Sequence, residues 1–325
     1  MSRILEVSDL EIELELDGST ISPVRGASIT VDRGEILGIA GESGSGKSLT
    51  LKSLIGLLPR HGMAKGTLLF SQDGGEPSPY DPADVRGRGI SMVFQEPMTA
   101  LNPTMRVGDL ISIGPRFHEG LSRRQAKART LDLMERVGLP DAERRAKMWP
   151  HELSGGLRQR VMIAVALSTK PELLLCDEPT TALDVSVQDQ ILGLLQQLRT
   201  DLGMAIVFVS HDLAVIGELC DRVAVMYAGR VLETGPTTDL LSDPRHPYTA
   251  GLIASIPSFD RLDIEPRGIP GQPPDPAVES SGCPFADRCA FTKDDCRTTP
   301  FHLTGTRDRQ TACIHPEVLR DGRPA

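Results

Sequence analysis

A stretch of eight residues, GESGSGKS at positions 41–48, has the composition of a phosphate-binding loop. It fits the pattern G-x-x-x-x-G-K-S, in which glycines let the backbone curl so that its N–H groups point at phosphate oxygens. In such a loop the Lys47 ammonium reaches the outer phosphates and the Ser48 hydroxyl holds Mg²⁺. A plain Gly/Ser turn would not need the complete motif between an apolar run and a helix-like segment. We therefore expect a nucleotide to be bound by Gly41, Ser43, Gly44, Ser45, Gly46, Lys47, Ser48 and Leu49.

Two adjacent carboxylates, Asp177 and Glu178, follow the apolar run LLLC. The carboxyl ends of parallel strands form the sheet edge at which ligands bind. Asp177 is expected to hold the metal ion there, and Glu178 to direct the attacking water as a general base. Either acid alone could be a helix N-cap beside Pro179, but the pair and the phosphate loop together favour nucleotide hydrolysis.

The apolar pattern supplies a sheet that can position these groups. Residues 1–37 alternate apolar and polar at period two, which is typical of half-exposed strands. Around the phosphate loop, EILGIA predicts a buried strand and KSLTLKSLIGLL a helix. Further on, the strand-like runs LLLCD, AIVFVS and RVAVMY alternate with helices, one of them over residues 185–202. This order predicts an α/β fold with a parallel sheet and helices on both faces. Residues 71–89 suggest a loop, and 102–170 a mostly helical segment.

Composition narrows the function classes. The formal net charge of −9 over 325 residues disfavours nucleic acid or an anionic lipid surface as the main partner. The acidic start of the chain lacks the apolar core of a signal peptide, and no apolar run approaches the ~20 residues that span a bilayer. We therefore expect a chain in the reducing cytosol that reaches a membrane only through a partner.

Four further motifs resemble those of the ABC ATPases. ELSGGLRQRV (Glu152–Val161) is similar to their signature, Gln95 in VFQEP to the Q-loop, Ala182-Leu183-Asp184 to the D-loop, and His211 in VSHD to the switch histidine. The resemblance covers about residues 1–255. FQEPMTALNP, HPYTAGLIASIP, PGQPPDP and GCPFADRC extend it to the ATPase subunits of peptide/nickel-type importers.

The resemblance implies a P-loop ABC ATPase core with an antiparallel β subdomain and a helical insert at about 96–160. ATP would be held between two ATPase subunits, because the signature residues Ser154, Gly155 and Gly156 open a helix whose free N–H groups suit the γ-phosphate of the partner's nucleotide. Gln95 would sense Mg²⁺ and water, and His211 would contact the γ-phosphate. An ordinary strand-end histidine is the alternative for His211. The D-loop residue expected at the nucleotide is Asp184.

The implied partners are a second, homologous ATPase subunit, two membrane permease subunits and an extracytoplasmic substrate-binding protein, with this chain peripheral on the cytoplasmic face of the cell membrane. No nucleic acid is expected. Two other functions remain open: a soluble ABC ATPase acting in translation or DNA repair, and a nucleotide-dependent regulator that does not hydrolyse ATP. The single P-loop and the absence of a heptad run disfavour the first. The set Asp177, Glu178 and His211 disfavours the second.

One departure from the family concerns the base. ABC ATPases often stack an aromatic residue on adenine, but residues 1–40 contain no Phe, Tyr or Trp. Leu14 or Leu16 falls near the expected position. We therefore expect base binding to be weaker, less selective, or supplied by an apolar side chain.

The C-terminal part gathers cysteines. After about Ser255 the chain becomes rich in proline, which predicts a semi-rigid linker. We expect an ATPase domain over 1–255 and a Pro-rich linker with a Cys-rich region over 256–325. Four cysteines there have the spacing C-x5-C-x6-C-x16-C, and four thiolates suit zinc or an iron–sulfur cluster. Zinc sites usually have tighter pairs, so the wide gaps favour a cluster. The resemblance implies a 4Fe–4S cluster, with zinc and bare or disulfide-bonded thiols as alternatives. The predicted ligands are Cys283, Cys289, Cys296 and Cys313.

Overall fold

The computed structural model describes residues 2–16, 18–72, 74–181, 183–256, 268–278 and 281–321. Its strands are β1 (Arg3–Leu16), β2 (Ser19–Asp32), β3 (Ile36–Ala40), β4 (Gly62–Phe70), β5 (Ser78–Pro79), β6 (Ile90–Val93), β7 (Leu173–Asp177), β8 (Ala205–Ser210), β9 (Arg222–Tyr227), β10 (Arg230–Pro236), β11 (Thr304–Thr306) and β12 (Arg309–Thr311).

The α-helices are α1 (Lys47–Ser53), α2 (Pro82–Val85), α3 (Pro97–Ala100), α4 (Val107–His118), α5 (Arg123–Arg136), α6 (Ala142–Arg145), α7 (Gly155–Leu167), α8 (Val185–Leu202), α9 (Leu213–Leu219), α10 (Thr237–Ser242), α11 (Pro247–Ala254) and α12 (Val318–Asp321). Short 3₁₀ turns occupy Pro150–Glu152, Ala286–Arg288 and Asp294–Arg297. Among the described residues, no helix combines the length and the apolar character that a membrane span requires.

The strands form two sheets. One is antiparallel, in the order β2-β1-β4-β5, as the resemblance implied. The other has eight strands in the order β11-β12-β10-β9-β3-β8-β7-β6. Its strands from β9 to β6 are parallel, so the prediction of a parallel sheet is right for this part.

The prediction is wrong at the other edge of the large sheet, where β10, β11 and β12 are antiparallel. The cause lies in the connections. Only Ala228 and Gly229 join β9 to β10, and both have positive φ, 47° and 78°. A two-residue turn of this kind makes a hairpin and is far too short for a crossover between parallel strands.

The strand that leads into the phosphate loop is buried on both faces. Ile36 and Ala40 of β3 pack into one core, and Leu37 and Ile39 pack into the other. This explains the continuous apolar run in the sequence. Helices α7, α8 and α9 cover the first face, while α1 and the antiparallel sheet cover the second. The expectation of helices on both faces is therefore only partly right, because a sheet takes most of one side.

One predicted segment needs correction, and the mostly helical segment 102–170 is confirmed. The region 71–89, expected to be a loop, contains β5 and α2, and Asp81 caps α2 by accepting the Ala83 N–H at 2.8 Å. The four-residue strand β6, which follows it, was not predicted, because its apolar run is too short to be distinguished by periodicity. The helical segment 102–170 is broken into α4, α5, α6 and α7, with a capping box between Ser122 and Gln125 at the start of α5.

The Cys-rich region packs onto the large sheet. Thr311 of β12 pairs with Glu233 of β10, so this hairpin adds two strands to the sheet. Phe285 is buried, and its ring lies 5.5 Å from that of Tyr227 at the end of β9. Part of the predicted linker, residues 257–267, lies outside the described residues. The domain boundary near residue 255 stays a prediction.

Candidate active site

The predicted phosphate loop joins β3 to α1. Gly41, Gly44 and Gly46 have φ of 150°, 79° and 100°, values that favour glycine. A Cβ at Gly46 would come within 2.7 Å of the Pro23 carbonyl oxygen. Any other residue at this position would therefore be strained by its backbone and by the neighbouring strand. Ser43 and Gly44 are exposed at the open side of the loop.

The Lys47 ammonium lies inside this loop. Its Nζ donates to the carbonyl oxygens of Gly41 and Glu42, both at 2.8 Å. Burial lowers the pKa of Lys47, and the carboxylates of Glu178, Asp177 and Glu42 act in the opposite direction. A phosphate bound near Nζ would supply further negative charge and so stabilise the protonated form of the buried amine.

A hydroxyl and a carboxylate meet beside the loop. The Ser48 hydroxyl donates to Asp177 Oδ1 at 2.7 Å, although the two residues are 129 positions apart. Asp177 ends β7 and is 2% exposed. Burial raises the pKa of Asp177, and the hydrogen bond from Ser48 partly opposes this. These hard oxygen donors, one of them a buried carboxylate, fit Mg²⁺.

The Glu178 carboxylate is the meeting point of three other side chains. Its Oε2 accepts hydrogen bonds from the Thr181 hydroxyl at 2.8 Å and from Gln95 Nε2 at 3.4 Å. His211 Nδ1 lies 3.0 Å from the same oxygen. The structure thus brings together Gln95, Glu178 and His211 from the ends of β6, β7 and β8.

The backbone of Glu178 is also unusual. Its φ is 44°, in the left-handed region that non-glycine residues rarely adopt, and its N–H donates to the Val209 carbonyl at 3.1 Å. Strain of this kind collects at functional sites. Sequence reasoning missed Thr181, whose only signal is its position three residues after Glu178.

The signature residues lie apart from the phosphate loop of their own chain. Ser154 occupies the N-cap position of α7 without a side-chain hydrogen bond to the helix, and both Ser154 and Gly155 are exposed. A Cβ at Gly155 or Gly156 would have Leu183 or Val187 as its near neighbours within 4 Å, and no atom of the phosphate loop. Exposed Asp184 occupies the N-cap position of the adjacent α8. The α7 and α8 N-termini therefore form one outward-facing surface; Ala182 lies outside the described residues.

Three leucines were predicted to lie near the nucleotide: Leu14 or Leu16 at the base, and Leu49 at the end of the phosphate loop. Leu14 and Leu49 are partly buried and pack against the core between the antiparallel sheet and the large sheet. The side chain of Leu16 lies outside the described residues. An apolar contact with the base by any of them stays a prediction.

The four C-terminal cysteines line one small cavity, together with His246 and Phe285. Burial raises the pKa of the Cys283 thiol to about 11 and that of Cys313 to about 12, and the neighbouring thiols act in the same direction. None of the six cysteines forms a disulfide, and the isolated Cys176 and Cys220 are buried.

The spacing of the sulfurs bears on the choice of metal. In tetrahedral zinc with Zn–S bonds of about 2.3 Å, the sulfurs lie about 3.8 Å apart. Among the described residues, the one group of three or more His, Cys, Asp or Glu ligand atoms within 4.8 Å of one another is Asp295, Cys296 and His315. No three of the four sulfurs are therefore that close. The thiols are therefore not arranged as a closed tetrahedral zinc site, and the metal group they hold stays a prediction.

Two parts of the chain match known families. Residues 24–181 match the family described as ABC transporter, and residues 232–296 match the family described as oligopeptide/dipeptide transporter, C-terminal region. The chain is 44% identical over 325 residues to the oligopeptide transport ATP-binding protein OppD of Bacillus subtilis (strain 168), covering 98% of this chain and 91% of that protein. It is 43% identical over 292 residues to the dipeptide transport ATP-binding protein DppD of the same strain, covering 89% and 87%.

A solved structure shares the fold. It is a dimeric ATP-binding cassette, MJ0796, in a post-hydrolysis state bound to ADP and Pi. The TM-score is 0.62 at 27% sequence identity, over 72% of this chain and 99% of that one. The OppD and DppD relatives match 98% and 89% of this chain. The chain therefore belongs to the ATP-hydrolysing subunits of the oligopeptide and dipeptide family of ABC transporters.

Proposed function

We propose that this chain binds MgATP at residues 41–49 and hydrolyses it to drive the uptake of peptides through a membrane transporter. The observation that carries the proposal is the convergence of Gln95, Thr181 and His211 on the Glu178 carboxylate, next to the Ser48–Asp177 pair. Peptide cargo is supported by the names of the relatives, which are oligopeptide and dipeptide transport proteins.

In the binding step, Lys47 neutralises phosphate charge and the loop N–H groups donate hydrogen bonds to phosphate oxygens. Ser48 and Asp177 would hold Mg²⁺, and Gln95 is proposed as a further contact to it. When bound, MgATP supplies a charge-neutralised γ-phosphoryl group in line for attack by water. The chain positions that group and excludes alternative geometries, which is the main requirement of phosphoryl transfer.

In the hydrolytic step, Glu178 accepts a proton from the attacking water. Its Oε2 is already oriented by Thr181 and faces His211 Nδ1, so the carboxylate has one preferred direction. His211 would contact the γ-phosphate and keep the water and Glu178 aligned. Gln95 follows β6 and precedes α3, so a change at the nucleotide can reach the helical insert at about 96–160.

The complete site needs a second ATPase subunit. The exposed N-terminus of α7, with Ser154 to Gly156, is proposed to complete the nucleotide site of a homologous partner, and Asp184 beside it to contact that site. We propose a different rather than an identical partner, together with two permease subunits and an extracytoplasmic binding protein. The chain would then sit on the cytoplasmic face of the cell membrane.

The Cys-rich region is proposed to hold a 4Fe–4S cluster on Cys283, Cys289, Cys296 and Cys313. All four line one cavity, and no three of their sulfurs lie within 4.8 Å of one another, whereas a single zinc ion would hold them closer than this. We propose a structural role, with residues 1–255 forming the ATPase and residues 256–325 anchored to it through the cluster and the β11–β12 hairpin.

Affinity purification of the chain from its native cells tests this function against the soluble alternatives. We expect permease subunits, a second ATPase and a peptide-binding protein to co-purify, and the complex to release phosphate from ATP. Ribosomes or DNA in their place would contradict transport, and a complex that binds ATP without releasing phosphate would contradict hydrolysis.

A further inference from the structure

A side chain of the Cys-rich region contacts the phosphate loop directly. Arg288 immediately precedes Cys289, and its Nη1 and Nη2 donate to the two carboxylate oxygens of Glu42 at 2.7 and 3.0 Å. Glu42 is the second residue of GESGSGKS, 246 positions earlier in the chain. The Arg288 side chain is 5% exposed and that of Glu42 is 27% exposed, so this two-point contact is partly shielded from solvent.

Arg288 is itself fixed by its surroundings. Its Nε donates to the Pro270 carbonyl at 2.9 Å, and Nη2 also donates to the Ile269 carbonyl at 3.1 Å. Nη1 also lies 3.2 Å from the Tyr227 hydroxyl, and the guanidinium lies 5.6 Å from the centre of that ring. Because these contacts fix the Arg288 guanidinium, it can hold the Glu42 carboxylate in one position.

Glu42 is held from two more directions. Its N–H donates to the Tyr248 hydroxyl at 2.9 Å, and its carbonyl oxygen accepts from Lys47 Nζ at 2.8 Å. Glu42 therefore contacts both residues: its carbonyl oxygen accepts from Lys47, and its carboxylate accepts from Arg288.

The contacts behind Glu42 lead to the cysteine cavity. His246 Nδ1 accepts the Tyr248 N–H at 3.1 Å, and its Nε2 lies 3.8 Å from Cys283 Sγ. The rings of Tyr248 and Phe285 lie 5.3 Å apart. The segment His246–Tyr248 and the cysteine loop thus form one packed support for the phosphate loop.

We propose that Arg288 is a positioning residue for nucleotide binding: through Glu42 it holds the phosphate loop and the Lys47 ammonium in the geometry that accepts phosphate. The proposal rests on the proposed ATP-binding function and is independent of what occupies the cysteine cavity. Removing one partner of this partly buried, two-point charge pair leaves the other charge unpaired, so the loop would relax away from its binding geometry.

The test uses the full-length chain and titration with a fluorescent MgATP analogue. Arg288→Met and Glu42→Gln are each expected to raise the Kd about 10-fold, the scale of one charge-assisted contact. The Kd of the double variant should lie within about 2-fold of the Kd of either single variant, because both substitutions remove the same contact. Arg288→Lys keeps the charge without the fork and should fall between wild type and Arg288→Met.

Arg297→Met is the matched control. Arg297 lies in the same region and pairs with exposed Asp287 at 2.8 Å, away from the phosphate loop. We expect its Kd to equal that of wild type. In the assembled transporter, Arg288→Met should raise the KM for ATP while kcat changes by less than about 3-fold, a split expected for lost ground-state binding.

The outcomes separate this inference from the proposed function. Unchanged Kd in a folded Arg288→Met, or additive losses in the double variant, would overturn it. If Arg288→Met does not fold, the isosteric Glu42→Gln and Arg288→Lys decide the question by the same criterion. A wild-type chain that fails to bind MgATP would instead overturn the proposed function.

Discussion

His211 Nδ1 lies 3.0 Å from Glu178 Oε2, and these two residues follow the ends of neighbouring parallel strands. The Thr181 hydroxyl reaches the same oxygen, so the carboxylate is oriented before any water arrives. Glu178 also has a left-handed backbone, which sets its side chain apart from that of Asp177. The two adjacent acids are thereby directed to different tasks, Asp177 toward Ser48 and Glu178 toward His211.

Replacement of Glu178 by glutamine removes the proton acceptor and keeps the side-chain shape. We expect Glu178→Gln to bind MgATP as wild type does and to hydrolyse it at least ~100-fold more slowly, the size of a general-base contribution. Phosphate release by the assembled complex, with binding measured in parallel, checks this. The control is Glu135→Gln at an exposed position of α5, and this variant should hydrolyse ATP at the normal rate. Near-normal turnover of Glu178→Gln would remove Glu178 from the mechanism.

Replacement of Lys47 acts at an earlier step. Lys47→Ala removes the buried ammonium from the phosphate loop, and we expect the Kd for MgATP to rise roughly 10–100-fold, as for the loss of one or two hydrogen bonds to a charged group. Calorimetric titration of the purified chain measures this. Lys65→Ala, on the exposed β4, is the matched control and should bind normally. An unchanged Kd for Lys47→Ala would contradict the proposed phosphate site.

The isolated chain should be a poor ATPase. Ser154 and Gly155 at the N-terminus of α7 are exposed. The nearest side chain to Gly155 belongs to Leu183 and not to the phosphate loop of the same chain. We therefore expect a second subunit to complete each nucleotide site. The specific activity should rise with added partner subunit and then saturate. A high rate from purified monomer that does not change with protein concentration would contradict this arrangement.

The cysteine cavity predicts the metal content. Protein purified without oxygen should be brown, absorb broadly in the visible range and contain about four irons per chain. Cys283→Ser should lower the iron content, whereas Cys220→Ser, far from the cavity lining, should leave it unchanged. Colourless protein with one zinc per chain, or with no metal, would contradict the cluster.

The sequence predicted the parts of the fold that follow from local patterns. Strand β8 and helix α8 occur at the predicted bounds, because a fully buried apolar run and a long amphipathic segment are both distinctive. The antiparallel strand β12 was missed, because three residues carry no periodic signal and Thr311 pairs with Glu233, far away in the sequence.

The candidate site likewise combines residues that belong to local motifs with residues that do not. The phosphate loop, the acids and His211 could be proposed from the sequence because each belongs to a motif with a physical reason for its spacing, and their roles stay predictions. Thr181 has no such motif, and the contact of Arg288 with Glu42 joins two residues that no local pattern connects. Packing between distant segments determines such contacts, and a single sequence does not display it.

The most direct test of the account is transport by the purified complex in proteoliposomes. With ATP on the side of this subunit and a peptide-loaded binding protein on the other, we predict peptide uptake and phosphate release that rise together, and loss of both with Glu178→Gln. Peptide uptake that continues without ATP hydrolysis, or ATP hydrolysis that never moves peptide, would contradict the account.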